Sequence, residues 1–266
     1  MDNLSFFDTP DGARIAYRID GPEKAPVLML SNSIGTDLHM WDAQIPAFSR
    51  HFRVLRYDAR GHGASSVPPG PYSLAQLGDD VVALLDHLGI ARAHFLGLSL
   101  GGIVGQWLGV HAASRIDRLM LSNTAAYLGP ADVWDAPIAA VLQARDMRET
   151  TQTFLRNWFP AHMLDVEDPL IVPFRETLLA TNRHGLAGSW AAVQRADLRH
   201  DIARITRPTL VIVGEHDTVT AATFGEVIAN TIRGARLHAF PAVHLSNVEF
   251  AEEFSEVIIA FLLSSQ

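Results

Sequence analysis

Gly97-Leu98-Ser99-Leu100-Gly101 follows the apolar run Ala93-His94-Phe95-Leu96 and precedes Ile103-Val104-Gly105-Gln106-Trp107. The first run reads as a strand, the last as a helix, and Ser99 falls at the apex of the turn between them. A turn this sharp strains its central residue, and only small neighbours leave room for it and for a substrate carbonyl above it. The pattern therefore predicts a hydroxyl lifted off the end of a strand. The bland alternative is a glycine turn carrying an idle serine.

On either side of that turn, strands and helices alternate. Leu4–Phe7, the turn Asp8–Gly12 and the alternating Arg14–Ile19 read as a hairpin. Val27–Ser31 and Arg53–Asp58 are short continuous apolar runs, as expected of strands buried on both faces, with one short helix over Trp41–Phe48 between them. Ser73 caps a helix whose apolar residues Leu74, Leu77, Val81, Leu84, Leu85 and Leu88 recur at the 3.6-residue period and stop at Gly89. A strand at Arg118–Ser122 follows the Ser99 turn and its helix. Alternation of this kind implies βαβ units, a mostly parallel central sheet and helices on both of its faces.

From Ala125 to Ala196 the rhythm changes to helices alone, at Pro137–Met147, Thr150–Trp158 and Pro173–Leu179. Three of the five tryptophans lie there, Trp134, Trp158 and Trp190. We read residues 125–196 as a helical cap inserted into a core made of 1–124 and 197–266. The alternation resumes with the strand Thr209–Val213, a helix near Phe224–Ile232, the strand Arg236–Phe240 and a last helix over Asn247–Leu263.

Composition narrows the function. The chain has 266 residues, 48% of them hydrophobic and 19% charged, enough to bury a large core. No stretch approaches the apolar length of a membrane span. The N-terminus lacks a basic segment followed by an apolar one, so no secretory signal is expected and the cytoplasm is the default compartment. A net charge of −8 with no basic run argues against nucleic acid as a partner. With no cysteine, disulfides, thiolate nucleophiles and cysteine-ligated zinc drop out together. Lys24 is the lone lysine among 21 basic residues, so a bound anion would be met by a guanidinium.

A serine hydroxyl is a weak nucleophile until a base takes its proton, and the usual base is a histidine held in one tautomer by a carboxylate. On a parallel sheet such groups belong on loops after the carboxyl ends of strands. Two loops carry them: Val213-Gly214-Glu215-His216-Asp217 and Pro241-Ala242-Val243-His244. Glu215 and His216 compete with Asp217, which is preferred for its place at the end of Gly-x-x-Asp. Individually, Asp217 could cap the next helix and His244 could be one of twelve ordinary histidines. Together, Ser99, Asp217 and His244 stand in the chain order of α/β-hydrolases. The backbone N–H of Leu100 is one expected oxyanion donor, and by register Ile34, in the loop Leu30–Gly35, is the second. Asn32 is read as orienting neighbouring loops by hydrogen bonds, and Asp58–Gly63 as a structural turn. Trp134 and Trp158 are expected to line the pocket as an apolar ceiling that excludes water. No histidine spacing suits a metal, and no metal or cofactor is expected.

The chain as a whole resembles the α/β-hydrolases. More narrowly, Ser31-Asn32-Ser33-Ile34-Gly35-Thr36-Asp37 with Met40-Trp41-Asp42, Asp58-Ala59-Arg60-Gly61-His62-Gly63 and Gly97-Leu98-Ser99-Leu100-Gly101-Gly102 together resemble 3-oxoadipate enol-lactonases. Asn32-Ser33 departs from the His-Gly of the wider family and agrees with this subgroup. The resemblance implies a cofactor-free serine hydrolase of aromatic catabolism by the β-ketoadipate route, opening a small anionic lactone. An arginine should then meet the substrate carboxylate, with Arg145, Arg148, Arg156, Arg183 and Arg195 all open. The alternatives are a carboxylesterase, a C–C bond hydrolase or a perhydrolase-like enzyme with the same three residues, or a ligand sensor that keeps them.

Overall fold

Eight strands join in one sheet in the computed structural model, which describes residues 4–166 and 168–264. They are β1 (Ser5–Asp8), β2 (Arg14–Asp20), β3 (Val27–Ser31), β4 (Arg53–Tyr57), β5 (Ala93–Leu98), β6 (Ile116–Ser122), β7 (Thr209–Gly214) and β8 (Arg236–Phe240). Their order is β1-β2-β4-β3-β5-β6-β7-β8. β1 and β2 pair antiparallel, as does β2 with β4, and every later pairing is parallel.

The period-2 alternation of strand side chains divides the core into two layers. Met29, Phe95, Leu119 and Val211 face the helices Leu74–His87 and Leu100–His111. Leu30, Leu96, Met120 and Leu210 face Phe48 and the Phe254, Ile258 and Phe261 side of the last helix. The helix at Leu74 begins where its sequence says it should. Ser73 accepts from the Gln76 N–H while the Gln76 side chain accepts from the Ser73 N–H, a reciprocal cap.

Between β6 and β7 the regular elements among the described residues are helices, joined by loops, apart from an isolated antiparallel bridge between Tyr127 and Asp197. That bridge, with the Leu198 N–H donating to Ala126 at 2.9 Å, ties the outgoing and returning crossings together. Two expected helices are broken. Trp41–Phe48 resolves into a 3₁₀ turn, Leu38–Trp41, and a short helix, Ile45–Phe48. The Asp37 carboxylate caps the former through the His39 N–H, starting it ahead of Trp41. The last helix divides into Ser246–Glu249 and Ala251–Leu263 because Phe250 leaves helical geometry, with its ring stacked on Phe240 at 5.8 Å. The cap also carries the helices Ala161–Asp165 and Arg183–Arg195, which periodicity did not separate.

The parallel strands end along one edge of the sheet. Ile34, Asp58, Ser99, Asn123, Asp217 and His244 all lie within a few residues of those ends. The helical segment between β6 and β7 leaves the sheet at the β6 end of the same edge.

Candidate active site

Ser99 sits between β5 and the helix Leu100–His111 with φ 55° and ψ −114°, a conformation that L-residues rarely adopt. The strain is held by the surrounding backbone. The Ser99 N–H donates to Ser122 at 3.0 Å, and the Ser99 carbonyl accepts from the Thr124 hydroxyl at 2.8 Å. Both flanking glycines are sterically required. A Cβ on Gly97 would lie 2.1 Å from the Gly101 carbonyl oxygen, and one on Gly101 would lie 2.2 Å from that of Ser31.

His244 Nδ1 and Asp217 Oδ2 are 2.8 Å apart, both side chains almost wholly buried. Asp217 is closely held. Its Oδ1 accepts from the N–H groups of Val219 and Thr220 at 2.8 and 3.0 Å, and its Oδ2 from the Thr220 hydroxyl at 2.8 Å and the Asn123 amide at 3.1 Å. Burial works against its charge. The imidazole beside it, their hydrogen bond and the Thr220 donors outweigh that and hold the carboxyl below its usual range. With Nδ1 engaged by a carboxylate, Nε2 is left as the basic nitrogen. Among the described residues neither the Ser99 hydroxyl nor Nε2 of His244 is hydrogen-bonded, and Ser99 lines a cavity. Such contacts commonly tighten only when substrate is present.

Ser99 opens into a cavity of about 190 Å³ whose floor includes Ile34, Leu100 and Ile103. The cap supplies Leu128, Trp134, Phe154, Asn157 and Trp190. The backbone N–H groups of Ile34 and Leu100 donate to no other group among the described residues, leaving two free donors beside the serine. Asn32 does not join them. Its amide donates to the Tyr57 carbonyl and its oxygen accepts from the Trp41 indole, each at 2.9 Å, which ties the Ile34 loop to β4 and to the Trp41 turn.

The two tryptophans expected in the ceiling part company. Trp134 lines the cavity, its indole N–H donating to Leu128 at 2.8 Å. Trp158 lies behind the wall and is a correction to the expected ceiling. It is 2% exposed and packs edge-on against Phe154 at 4.9 Å, with one ring atom 3.4 Å from where a Cβ on Gly35 would stand. The aromatic wall is completed by Phe154 and Trp190, whose rings lie parallel within 3° at 6.1 Å.

Asp58–Gly63 is a structural turn. Buried Asp58 accepts from the N–H groups of Leu38 and Ala64, and Arg60 grips Asp80 through two bonds of 2.7 and 2.6 Å. Asn123 and Thr220 escaped the sequence reading. Asn123 could have been found from its place one residue beyond β6, and Thr220 from its place three residues after Asp217, where a side chain returns to the carboxylate of a turn. Among the described residues, no group of three His, Cys, Asp or Glu side chains is placed to hold a metal ion, and no helix is long and apolar enough to cross a membrane.

The family model described as "alpha/beta hydrolase fold" matches residues 26–251. The chain is 38% identical to 3-oxoadipate enol-lactonase 2 of Acinetobacter baylyi, over 98% of each sequence. Among solved structures, a hydrolase from Pseudomonas aeruginosa PA01 superposes with a TM-score of 0.98 at 66% identity, covering 99% of each chain. The enol-lactonase from Burkholderia xenovorans LB400 superposes with a TM-score of 0.94 at 40% identity, covering 98% of this chain and all of that one.

Proposed function

The chain belongs to the α/β-hydrolase family, and from that premise we propose that it is a serine hydrolase that opens 3-oxoadipate enol-lactone, acting in the cytoplasm. The observation that carries the reading is the placement of a strained Ser99 at the floor of an apolar cavity, in a fold that also pairs buried His244 with Asp217. The enol-lactonase relatives at 38% and 40% identity support the choice of substrate.

In this mechanism Ser99 Oγ attacks the lactone carbonyl carbon as its proton passes to His244 Nε2, and Asp217 stabilises the imidazolium. The backbone N–H groups of Ile34 and Leu100 hold the oxyanion. Collapse breaks the ring C–O bond. The leaving enolate takes the proton from His244, and the enol becomes the ketone. Water, deprotonated by His244, then attacks the acyl carbon, and Ser99 recovers its proton as 3-oxoadipate departs. An enolate leaves more readily than an alkoxide, so weak proton donation suffices. Trp134 lines the substrate chamber, where it excludes water.

A carboxylesterase acting on uncharged esters is the second reading. It is favoured by the absence of any cationic side chain from the cavity wall among the described residues. Both readings share one test. A fluorophosphonate should form one adduct per chain, found on the peptide bearing Ser99, with activity lost in proportion. An adduct on another residue contradicts both.

A further inference from the structure

Thr36 is almost wholly buried and does not line the Ser99 cavity, yet its hydroxyl is bound to the peptide that carries one of the two free donors there. A peptide unit is planar and trans, so its C=O and N–H point in opposite directions and turn together. The Ile34 N–H therefore points where the Ser33 carbonyl sends it. That carbonyl accepts from the Thr36 hydroxyl at 2.7 Å and from the Thr36 N–H at 3.3 Å, across a turn whose third residue, Gly35, takes φ 79°. The side-chain bond is the shorter of the two and is the main restraint on rotation of that peptide.

The neighbouring peptide is fixed as well. The Asn32 carbonyl accepts from the Gly101 N–H at 3.1 Å, and the Ser33 N–H donates to the Met40 sulfur at 3.4 Å. Gly101 follows Leu100, so the first of these bonds ties the loop bearing the Ile34 donor to the helix start bearing the other. The Thr36 hydroxyl also reaches the Met40 sulfur, at 3.3 Å, but its single proton favours the closer carbonyl. A carbonyl that accepts a hydrogen bond polarises its peptide and makes the N–H at the other end a stronger donor.

We infer that Thr36 is a positioning residue for the oxyanion: by holding the Ser33 carbonyl, its hydroxyl aims and polarises the Ile34 N–H that meets the developing charge. This rests on the reading of Ile34 and Leu100 as the oxyanion donors and adds a residue that does not touch the substrate. The charge exists only in the tetrahedral states, so the contribution falls on kcat and leaves KM almost alone.

The test measures p-nitrophenyl acetate hydrolysis by the parent, by Thr36→Val, which keeps the shape without the hydroxyl, and by Thr36→Ser, which keeps the hydroxyl. Acylation and deacylation both pass through an oxyanion, so either limiting step reports on it. A further protein carries an ester in place of the Ser33–Ile34 amide, which deletes the Ile34 N–H outright, and another combines that ester with Thr36→Val. In Thr36→Val kcat should fall about tenfold with KM within about twofold of the parent's, and Thr36→Ser should recover most of the loss. The ester should cost on the order of a hundredfold in kcat, and adding Thr36→Val to it should change kcat by less than about twofold. A packing role would persist in the ester-linked protein, whereas a role exerted through the Ile34 N–H vanishes with it. Parent-like kcat in Thr36→Val, equal losses in Thr36→Val and Thr36→Ser, or the full Thr36→Val loss on top of the ester each overturns the inference while leaving the oxyanion reading in place. Parent-like kcat in the ester-linked protein overturns the oxyanion reading itself, and the inference with it.

Discussion

The carboxamide of Asn123 meets the carboxylate of Asp217 at 3.1 Å from a backbone held at φ 43°, and its oxygen accepts from the hydroxyls of Ser122 and Ser246. The same amide reaches the carbonyl of Val243, next to His244, at 3.3 Å. One side chain thus links the two loops that carry Asp217 and His244. Asparagine suits this place because it tolerates the left-handed region better than most residues.

Replacing Asn123 by Ala should lower kcat on the order of tenfold, since a hydrogen bond to a charged group contributes about 1.5–3 kcal/mol. Asn123→Gly removes the same bond but relieves the backbone strain. It should therefore recover stability relative to Asn123→Ala in thermal melts while kcat stays low. Equal kcat for Asn123→Gly and the parent would show that the bond does not position Asp217.

The turn at Ser99 has no room for side chains on its flanks. Gly97→Ala places a Cβ against the Gly101 carbonyl and should cost about 3 kcal/mol or more, lowering the melting temperature on the order of 10 °C. Gly101→Ala, pressed against Ser31, should behave alike. Melts coincident with the parent would mean that the turn is not built this tightly.

Asp58 gives a pH signature opposite to that of Asp217. Burial pushes its carboxyl up to about 6 from 3.8, against the bonds from Ala64 and Leu38. Below pH 4 it is protonated in both folded and unfolded chains. Between pH 4 and 6 the unfolded chain releases the proton while the folded one keeps it, so stability falls as pH rises through that window, by about 3 kcal/mol in all. Asp217, held low, contributes stability that is lost as pH falls. Denaturant titrations of Asp58→Asn and the parent should isolate the first effect. The variant-minus-parent difference should climb by about 3 kcal/mol from pH 4 to pH 7, and a flat difference would contradict the assignment.

The two cap tryptophans should separate experimentally. Trp158→Ala opens a hole behind the Ile34 loop and should destabilise the fold by about 3–5 kcal/mol. Trp134→Ala should change KM and the accepted acyl size more than the melting temperature. Matching losses of stability in both would place Trp134 in the core as well.

The sheet was legible because buried parallel strands are written as short apolar runs, and Val27–Ser31 falls where the sequence places it; the edge strand Arg236–Phe240, mostly exposed, also falls where it was expected, in its place after a helix. Ser99 was legible through its glycines, and Asp217 and His244 through their places after strands. The segment between β6 and β7 was legible in part: the helices expected at Pro137–Met147, Thr150–Trp158 and Pro173–Leu179 have counterparts at Asp135–Gln143, Arg148–Trp158 and Val172–Ala180, whereas Ala161–Asp165 and Arg183–Arg195 were not separated, because their pattern is spread across several partners at once. Trp134 and Trp158 look alike in sequence, and only tertiary packing, against Trp190 for the first and against Phe154 and Phe174 for the second, sets one in the chamber and the other behind it. Asn123 went unnoticed because its role depends on loops that lie far away in sequence and meet only after the sheet is assembled.

The most direct measurement follows the ultraviolet loss of 3-oxoadipate enol-lactone beside p-nitrophenyl acetate, with the parent and Ser99→Ala run in parallel. Saturable lactone turnover far above that of the simple ester, lost in Ser99→Ala, is the predicted result. Substantial lactone turnover retained by Ser99→Ala would contradict the nucleophile, and slow lactone turnover with normal ester cleavage would contradict the substrate.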